Sequence, residues 1–212
     1  MPKQPPQKRT RRHPERFAGK HYMPYAITIG QLTLAWNALH ETLAMLFFVA
    51  IANGRTRSAL EIWNSAVYDR PKRAMLKAAV ADNVLSDSQP QFASDVLWLC
   101  GEADKLEDSR NSAIHSPLIF HSPSNALSVQ RGTAGKVLPL VAFGNPRAMK
   151  LHKKDLLTEF RWCRDAAVTL NDFAKSLFFA VGSDAPWPRR PSLPNRGQRK
   201  IRQVAQRPAR LK

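Results

Sequence analysis

The segment from Leu156 to Val181 has the most regular apolar pattern of the chain. Its apolar residues recur at alternating spacings of four and three, which places them on one face of an α-helix, and the run is far longer than a β-strand. The segment therefore predicts a long helix that buries one stripe against other helices. The residues of the stripe are Leu156, Phe160, Cys163, Ala167, Leu170, Ala174, Leu177 and Val181.

Four earlier segments have the same helical period. Helices are predicted at about 28–50, at about 56–68 and from Pro71 to Val80. A fourth begins at Pro90 and is stopped by Pro117, because the residue before a proline is disfavoured in the helical region. The pattern predicts helices that pack nearly antiparallel to one another.

Residues 117–147 lack the helical period. Short β-prone runs separated by Ser-Pro and Gly predict a small hairpin or an ordered loop. The predicted fold class is all-α: an up-and-down bundle of about five helices, formed by residues 25–181, with a short insertion near 117–147.

The two ends of the chain carry most of its net charge of +17. Residues 1–24 hold seven Lys and Arg against one acid, and residues 182–212 hold nine against one. Both ends have the composition of disordered tails. Basic tails attract polyanions by counterion release, nucleic acid first and an anionic membrane surface second, although tails that only solubilise are the alternative. The predicted nucleic-acid contacts are Arg9, Arg11, Arg12, Arg189, Arg190, Arg199, Lys200 and Arg202.

The cysteines and the hydropathy of the sequence bear on the cellular compartment of the protein. Two cysteines, Cys100 and Cys163, give neither a disulfide framework nor a metal cluster. The polar start of the chain shows no secretory signal, and the longest apolar run, ten residues at 43–52, is too short to cross a bilayer. We therefore predict a cytoplasmic protein with no membrane span, metal or cofactor.

Arg110 interrupts the apolar stripe of the fourth predicted helix, between Leu106 and Ala113. Burying an unpaired guanidinium costs on the order of several kcal/mol, so Arg110 needs a partner or a place at the edge of the core. An ion pair with Glu107, one turn earlier, or a side chain that reaches solvent would explain it without a function. His40 lies beside the stripe of the first helix and is interpreted as a surface residue or a hydrogen bond at the core edge.

The segment Arg110-Asn111-Ser112-Ala113-Ile114-His115 resembles the Arg-x4–6-His motif of the HEPN superfamily, in the form with a polar residue directly after the arginine. Its place in a late helix, followed by a connecting segment and a long final helix, is also similar to the family's layout. The pairs Arg16/His21 and Arg147/His152 have the same spacing, but they lie in the predicted tail and at the edge of the loop.

The resemblance implies a metal-independent endoribonuclease, in which the 2′-hydroxyl attacks the adjacent phosphodiester. It assigns proton transfer near neutral pH to His115, stabilisation of the phosphorane-like transition state to Arg110, and orientation of either residue to Asn111. Glu107 and Asp108 would tune this site, with salt bridges on the helix surface as the alternative for both.

The motif spacing raises a geometric problem. On an ideal helix, Arg110 and His115 lie about 140° apart, so one straight helix does not bring them together. HEPN proteins are typically dimers in which both motifs line one cleft, so the resemblance implies a homodimer; unwinding near Pro117 is the alternative. Pro117 stands where some family members have a tyrosine used for regulation by a partner nucleotidyltransferase, so a partner antitoxin is not implied.

Other classes of function fit the same sequence. A HEPN-like domain that binds RNA or a nucleotide without cutting would leave His115 dispensable. A structural helical interaction protein would keep Arg110 in an ion pair. A DNA-binding architectural protein would use the tails alone, since residues 25–181 have no recognition-helix signature.

Overall fold

The structure, a computed structural model, describes residues 19–52, 58–81, 89–130, 132–141, 144–181, 183 and 185–196. Among the basic residues predicted to contact nucleic acid, Arg189 and Arg190 belong to this part of the chain. The others lie outside the described residues: Arg9, Arg11, Arg12, Arg199, Lys200 and Arg202.

The predicted all-α bundle with a hairpin insertion is confirmed. Each of the five predicted helical segments is a helix, and two shorter helices lie in and after the hairpin. In chain order the described elements are α1 (Met23–Ala52), α2 (Ser58–Ser65), α3 (Asp69–Ala81), α4 (Pro90–His115), β1 (Leu118–Phe120), α5 (Ala126–Gln130), β2 (Val137–Pro139), α6 (Pro146–Leu151) and α7 (Leu156–Val181).

Helices α1 and α7 form the most extensive pair of the bundle and run in the same direction. Near their starts, the Arg164 guanidinium donates to the Gln31 side chain (2.5 Å). Further along both helices, the Thr42 hydroxyl donates to Oδ1 of Asn171 (2.6 Å). The two contacts follow in the same order along both helices, so the helices are parallel.

Helix α4 runs opposite to α7. The Trp98 ring packs edge-on against Phe173 near the start of α4, with 5.4 Å between the centroids. Near the end of α4, the Cys163 thiol lies 3.9 Å from the carbonyl oxygen of Leu106. The end of α4 and the starts of α1 and α7 therefore share one end of the bundle, which we call the hairpin end because β1 follows α4 there.

The hairpin is antiparallel, with Ile119 opposite Leu138. Residues before α1 pack on it: the backbone N–H of Phe120 donates to the Tyr22 hydroxyl (2.7 Å), and the His21 ring stacks on Phe120 with centroids 4.0 Å apart. Helix α1 begins at Met23, earlier than predicted. Residues 19–24 thus differ from the predicted disordered tail, because the hairpin gives their aromatic rings a surface to pack on.

Residues 185–196 also differ from the predicted disordered tail. They form an extended segment, the strap, that packs along α4 and α7. The Trp187 indole donates to Oδ2 of Asp95 (2.7 Å), and the Trp162 indole donates to the carbonyl oxygen of Pro194 (2.6 Å). Prolines restrict the unfolded chain, so ordering this segment costs less conformational entropy than its composition suggests.

Helix α1 passes a test of length and composition for a membrane span, which the sequence prediction of no span did not anticipate. Residues Met23–Ile51 have a mean hydropathy of 1.5 in the most apolar window, and half of that window is buried inside the protein. Its inward residues, among them Leu32, Trp36 and Leu39, are 0% exposed. The core helix of a soluble protein and a signal sequence near the N-terminus both have this length and composition.

Candidate active site

Helix α4 is regular through the whole motif. It ends at His115 because Ser116, before Pro117, has an extended backbone (φ −85°, ψ 124°), and the Ser116 N–H still donates to the carbonyl oxygen of Ser112 (3.2 Å). Unwinding before His115, the alternative way to bring the motif together, does not occur. On this helix Arg110 and His115 lie on different sides, about 140° apart.

Arg110 is half-buried beside its motif neighbour. Its Nη1 donates to Oδ1 of Asn111 (2.8 Å), and its guanidinium carbon lies 5.6 Å from the centre of the Trp36 ring. The buried Nε of Arg110 has no acceptor among the described residues. An ion pair with Glu107 is not found in this part of the chain, because the Glu107 carboxylate instead accepts from Arg73 (2.8 Å).

His115 is exposed and faces an open cleft of about 610 Å³ at the hairpin end. Gly144, whose φ of 68° is a left-handed conformation that favours glycine, turns the chain into α6. The Asn145 side chain then caps α6 by accepting from the backbone N–H of Arg147 (3.0 Å), so this wall of the cleft has a fixed backbone. The cleft is lined by His115, Pro117, Leu140, Gly144, Asn145, Pro146 and Arg147.

The structure therefore divides the predicted site. It brings Arg110 and Asn111 together, and it places His115 in a cleft whose lining does not include Arg110. Among the described residues that line this cleft, the arginine is Arg147, which the sequence motif offered only as part of the pair Arg147/His152. The sequence near either residue does not predict that His115 and Arg147 line the same cleft, because the hairpin separates residues 110–115 from residues 144–147 along the chain.

Glu107 and Asp108 both form salt bridges. Asp108 pairs with Lys150 of α6 (3.0 Å) at the surface, while Glu107 binds the buried Arg73. The Asp108–Lys150 pair links α6, and with it the wall that carries Arg147, to α4. Asp108 thus contributes to the shape of the cleft without lining it.

An ionic cluster that the sequence did not predict lies between α1, α3 and α4, around the buried Arg73. Its members are His40, Asp69, Arg73, Asp104 and Glu107. Arg73 is 0% exposed, yet its Nε donates to Asp104 (2.7 Å), its Nη2 to Glu107 (2.8 Å) and its Nη1 contacts Nε2 of His40 (3.0 Å). A sequence signal did exist. Arg73 continues the apolar stripe of Leu76 and Val80 in α3, as Arg110 does in α4.

His40 is neutral in this arrangement. Its Nδ1 lies 3.1 Å from the carbonyl oxygen of Trp36, so Nδ1 carries the proton and Nε2 accepts from Arg73. Burial lowers the pKa of His40, although the nearby Asp69 acts in the opposite direction. The structure thus favours a core hydrogen bond over a surface position for this residue.

The ionic cluster also reaches Arg110 through Trp36. The Trp36 indole donates to Asp69 (2.8 Å), and Arg73 and Arg110 both lie against the Trp36 ring, at 5.7 and 5.6 Å. Burial acts to raise the pKa of Asp69, but the bond from Trp36 and the charges of Arg110 and Arg73 outweigh it, and the pKa is lowered. Asp69 is therefore an anion, and the positive charge of Arg110 contributes to keeping it ionised.

The hairpin end carries the positive charge of the folded part. Residues 116–164 contain eight Lys and Arg but two acids, whereas residues 25–115 contain eight against ten. A second cleft of about 790 Å³ at this end, between the starts of α1 and α7, has Lys20, Arg161 and Arg164 in its lining. This end therefore favours a polyanionic ligand.

Of the two predicted nucleic-acid contacts in the strap, Arg190 already has protein partners. Its Nε donates to Asp95 (2.5 Å), and its guanidinium lies 5.7 Å from the centre of the Trp98 ring. Arg189 is exposed. Both arginines are thus exposed, and Arg190 is in addition held by α4.

Compared with protein-family models, with curated proteins and with solved structures, the chain gives no match. The resemblance to the HEPN superfamily thus rests on residues 110–115 and on the helical layout.

Proposed function

We propose that the protein is a cytoplasmic, metal-independent endoribonuclease with a composite Arg110/His115 site at a homodimer interface. The observation that carries the proposal is the position of His115. It is an exposed histidine in an open cleft of about 610 Å³, with Arg147 in the same lining, at the basic end of the bundle. A strand of RNA has access to this place, and imidazole is suited to proton transfer near neutral pH.

The reaction assigned to the site needs few groups. The 2′-hydroxyl loses its proton as it attacks the phosphorus, and the 5′-oxygen of the next nucleotide gains a proton as it leaves, which produces a 2′,3′-cyclic phosphate. His115 serves one of these proton transfers. Arg110 stabilises the charge on the phosphoryl oxygens. Asn111 orients Arg110 through its bond to Nη1.

The regular course of α4 supports a dimer. Because Arg110 and His115 lie on different sides of one helix, a single copy does not direct both groups at one phosphodiester. Two copies related by a twofold axis that passes near α4 would place Arg110 of one copy beside His115 of the other.

The first test is cleavage of mixed cellular RNA by the full chain in excess EDTA, with wild type beside His115→Ala. We expect the variant to lose about 10²–10⁴-fold in rate, and the wild-type products to end in cyclic phosphate. His152→Ala is the matched control, because His152 is also exposed at this end of the bundle. Equal cutting by the wild type and His115→Ala would refute the proposal.

The composite site has a separate test. Arg110→Ala and His115→Ala are each inactive as homodimers, but a mixed dimer has one intact site. After subunit exchange in an equal mixture we expect about a quarter of wild-type activity, since about half of the dimers are mixed and each has one of its two sites. No recovery in a mixture that has exchanged subunits would refute the composite arrangement.

A non-catalytic RNA-binding protein is the second candidate, and the absence of Arg110 from the lining of the His115 cleft favours it. In that case neither wild type nor His115→Ala cuts RNA, and both bind it with the same affinity, which falls as salt rises.

A further inference from the structure

The second cleft at the hairpin end combines cations with exposed aliphatic side chains. Its lining contains Lys20, Arg161 and Arg164, together with Met23 and Ile27 of α1. The described residues that line it include no acid and no aromatic ring. Proteins usually bind single-stranded RNA by stacking its bases on aromatic rings, so this cleft differs from a typical RNA site. Its chemistry fits an anion that carries an aliphatic part.

The positive charge of this cleft exceeds the negative charge of its partners in the described part of the chain. Arg164 pairs with Asp165 (2.7 Å) and donates to Gln31 (2.5 Å), whereas Lys20 and Arg161 form no ion pair with a described residue. The lining and Asp165 together therefore keep a net positive charge, which attracts anions.

The exposed aliphatic side chains continue beyond the cleft. Met23, Ile27 and Leu34 lie within about 40° of one another around α1 and extend over about 17 Å of its length. Val168 of α7 lies one turn after Arg164 and at the level of Leu34, because the two helices run in parallel from the contact between their starts. All four aliphatic side chains are exposed, and we call them the apolar strip.

The apolar strip gives α1 an apolar side that faces solvent. Half of the most apolar window of this helix is buried in the bundle. A helix of a soluble protein usually turns polar side chains outward, whereas α1 exposes Ile27 and Leu34. Aliphatic side chains beside cations suit the surface of a bilayer, where they enter the boundary between headgroups and acyl chains while Lys and Arg contact anionic headgroups. A strand of RNA offers the strip no aliphatic partner.

We propose that the second cleft and the apolar strip dock the protein on the surface of an anionic phospholipid bilayer. The cations of the cleft bind headgroup phosphates, and Ile27 and Leu34 insert below them. Helix α1 stays packed in the bundle, because its inward residues form the core. The proposal goes beyond the proposed function and does not rest on it, since neither Arg110 nor His115 lines this cleft.

The test measures sedimentation of the full chain with vesicles of phosphatidylcholine mixed with phosphatidylserine, beside vesicles of phosphatidylcholine alone. Ile27→Gln removes one aliphatic chain of the strip. Ile62→Gln on α2 is its matched control, because the two isoleucines are 51% and 47% exposed. Arg161→Gln removes one cation of the cleft, and Lys175→Gln, in the second half of the same helix, is its control.

We expect Ile27→Gln to weaken binding to the phosphatidylserine vesicles about tenfold, since roughly half of an isoleucine side chain leaves water on insertion. Arg161→Gln should weaken it about fivefold, as one cation near an anionic surface contributes. The effect of Arg161→Gln should shrink as salt rises while that of Ile27→Gln persists, because salt screens charges but not the burial of apolar surface. The basic ends of the chain are the same in every variant and cancel.

Equal vesicle binding by the wild type, Ile27→Gln and Arg161→Gln would overturn the proposal. If Arg161→Gln weakens binding of a 2′-O-methyl RNA strand and leaves vesicle binding unchanged, the cleft serves RNA and the proposal is wrong. A changed oligomeric state of Ile27→Gln with unchanged vesicle binding would also overturn it, because the strip would then be a contact between copies. If Ile27→Gln unfolds, Leu34→Gln tests the same insertion at a more exposed position.

Discussion

Arg73 and Arg110 interrupt the apolar stripes of neighbouring helices, and both lie against the ring of Trp36. Their surroundings differ. Arg73 is 0% exposed and has Asp104, Glu107 and His40 as partners, whereas Arg110 is half-buried, with a bond to Asn111 and one buried donor that has no acceptor among the described residues. A position in an apolar stripe therefore does not decide the role of an arginine: Arg73 is fixed by two ion pairs, whereas Arg110 has no ion pair with a described residue.

The largest effect is expected from replacing each arginine with methionine, which keeps most of the stem. Arg73→Met removes a fully buried guanidinium that pairs with the carboxylates of Asp104 and Glu107, so it should lower the free energy of unfolding by about 3–5 kcal/mol. Arg110→Met removes a bond to an adjacent side chain and a contact with Trp36, so it should cost about 1 kcal/mol. Chemical denaturation of both variants measures the difference.

Comparable losses in the free energy of unfolding of the two variants would show that both arginines hold the fold. A larger loss at Arg110 would show that its contact with Trp36 and the nearby Asp69 are structural, and it would weaken the proposed catalytic role. Arg70→Met is a useful reference, because Arg70 also pairs with Glu107 (3.3 Å) but its side chain is 73% exposed.

Sequence patterns predicted the helices and the stop before Pro117, because each depends on residues close together in the chain. For residues 117–147 they predicted a hairpin or an ordered loop, and the structure shows the hairpin. The patterns did not predict the ionic cluster or the strap. Arg73 pairs with Asp104 and Glu107, and Arg190 pairs with Asp95, across separations that carry no local period. The composition of the strap is typical of disorder, since its prolines and arginines bury little by themselves. Two indole hydrogen bonds join it to the bundle: Trp187 of the strap donates to Asp95, and Trp162 of α7 donates to the carbonyl oxygen of Pro194.

The candidate site was predicted in part for the same reason. Arg110, Asn111 and His115 share one helix, so the motif was visible in the sequence, and the 140° offset was calculable from helix geometry. The cleft around His115 was not predictable, because Arg147 enters its lining through the turn at Gly144 and the cap at Asn145. These residues are distant from His115 in the sequence.

A smaller effect on stability is expected from pH, through His40. Burial lowers the pKa of His40 below its ordinary value of 6.5, so the unfolded chain binds the proton more readily than the folded one. The stability that depends on neutral His40 is complete above pH 6.5 and is lost as the pH falls towards the folded pKa. Protonation removes the acceptor of Arg73, so we expect a loss of about 1–3 kcal/mol.

The measurement is the melting temperature of wild type and His40→Gln between pH 7.5 and 4.5. Glutamine offers an acceptor to Arg73 but does not titrate, so the variant should show a flatter profile. Asp69 and Asp104, whose pKa values are lowered, stay ionised in this window. The remaining titrating groups are common to both proteins and cancel in the comparison. Parallel profiles would contradict the assignment of a neutral, hydrogen-bonded His40.

The smallest effect on stability is expected at Arg147 in the cleft. Its side chain is exposed, and only its backbone N–H takes part in the cap of α6. Arg147→Gln should change the free energy of unfolding by less than about 0.5 kcal/mol, as surface substitutions usually do. Its effect should appear with RNA, as a loss of about one phosphate contact in the salt dependence of binding. Lys175→Gln is the matched control, since Lys175 is an exposed cation in the second half of α7, away from the hairpin end. If Arg147→Gln alters stability and leaves the salt dependence unchanged, then Arg147 belongs with Arg73, among the residues that hold the fold.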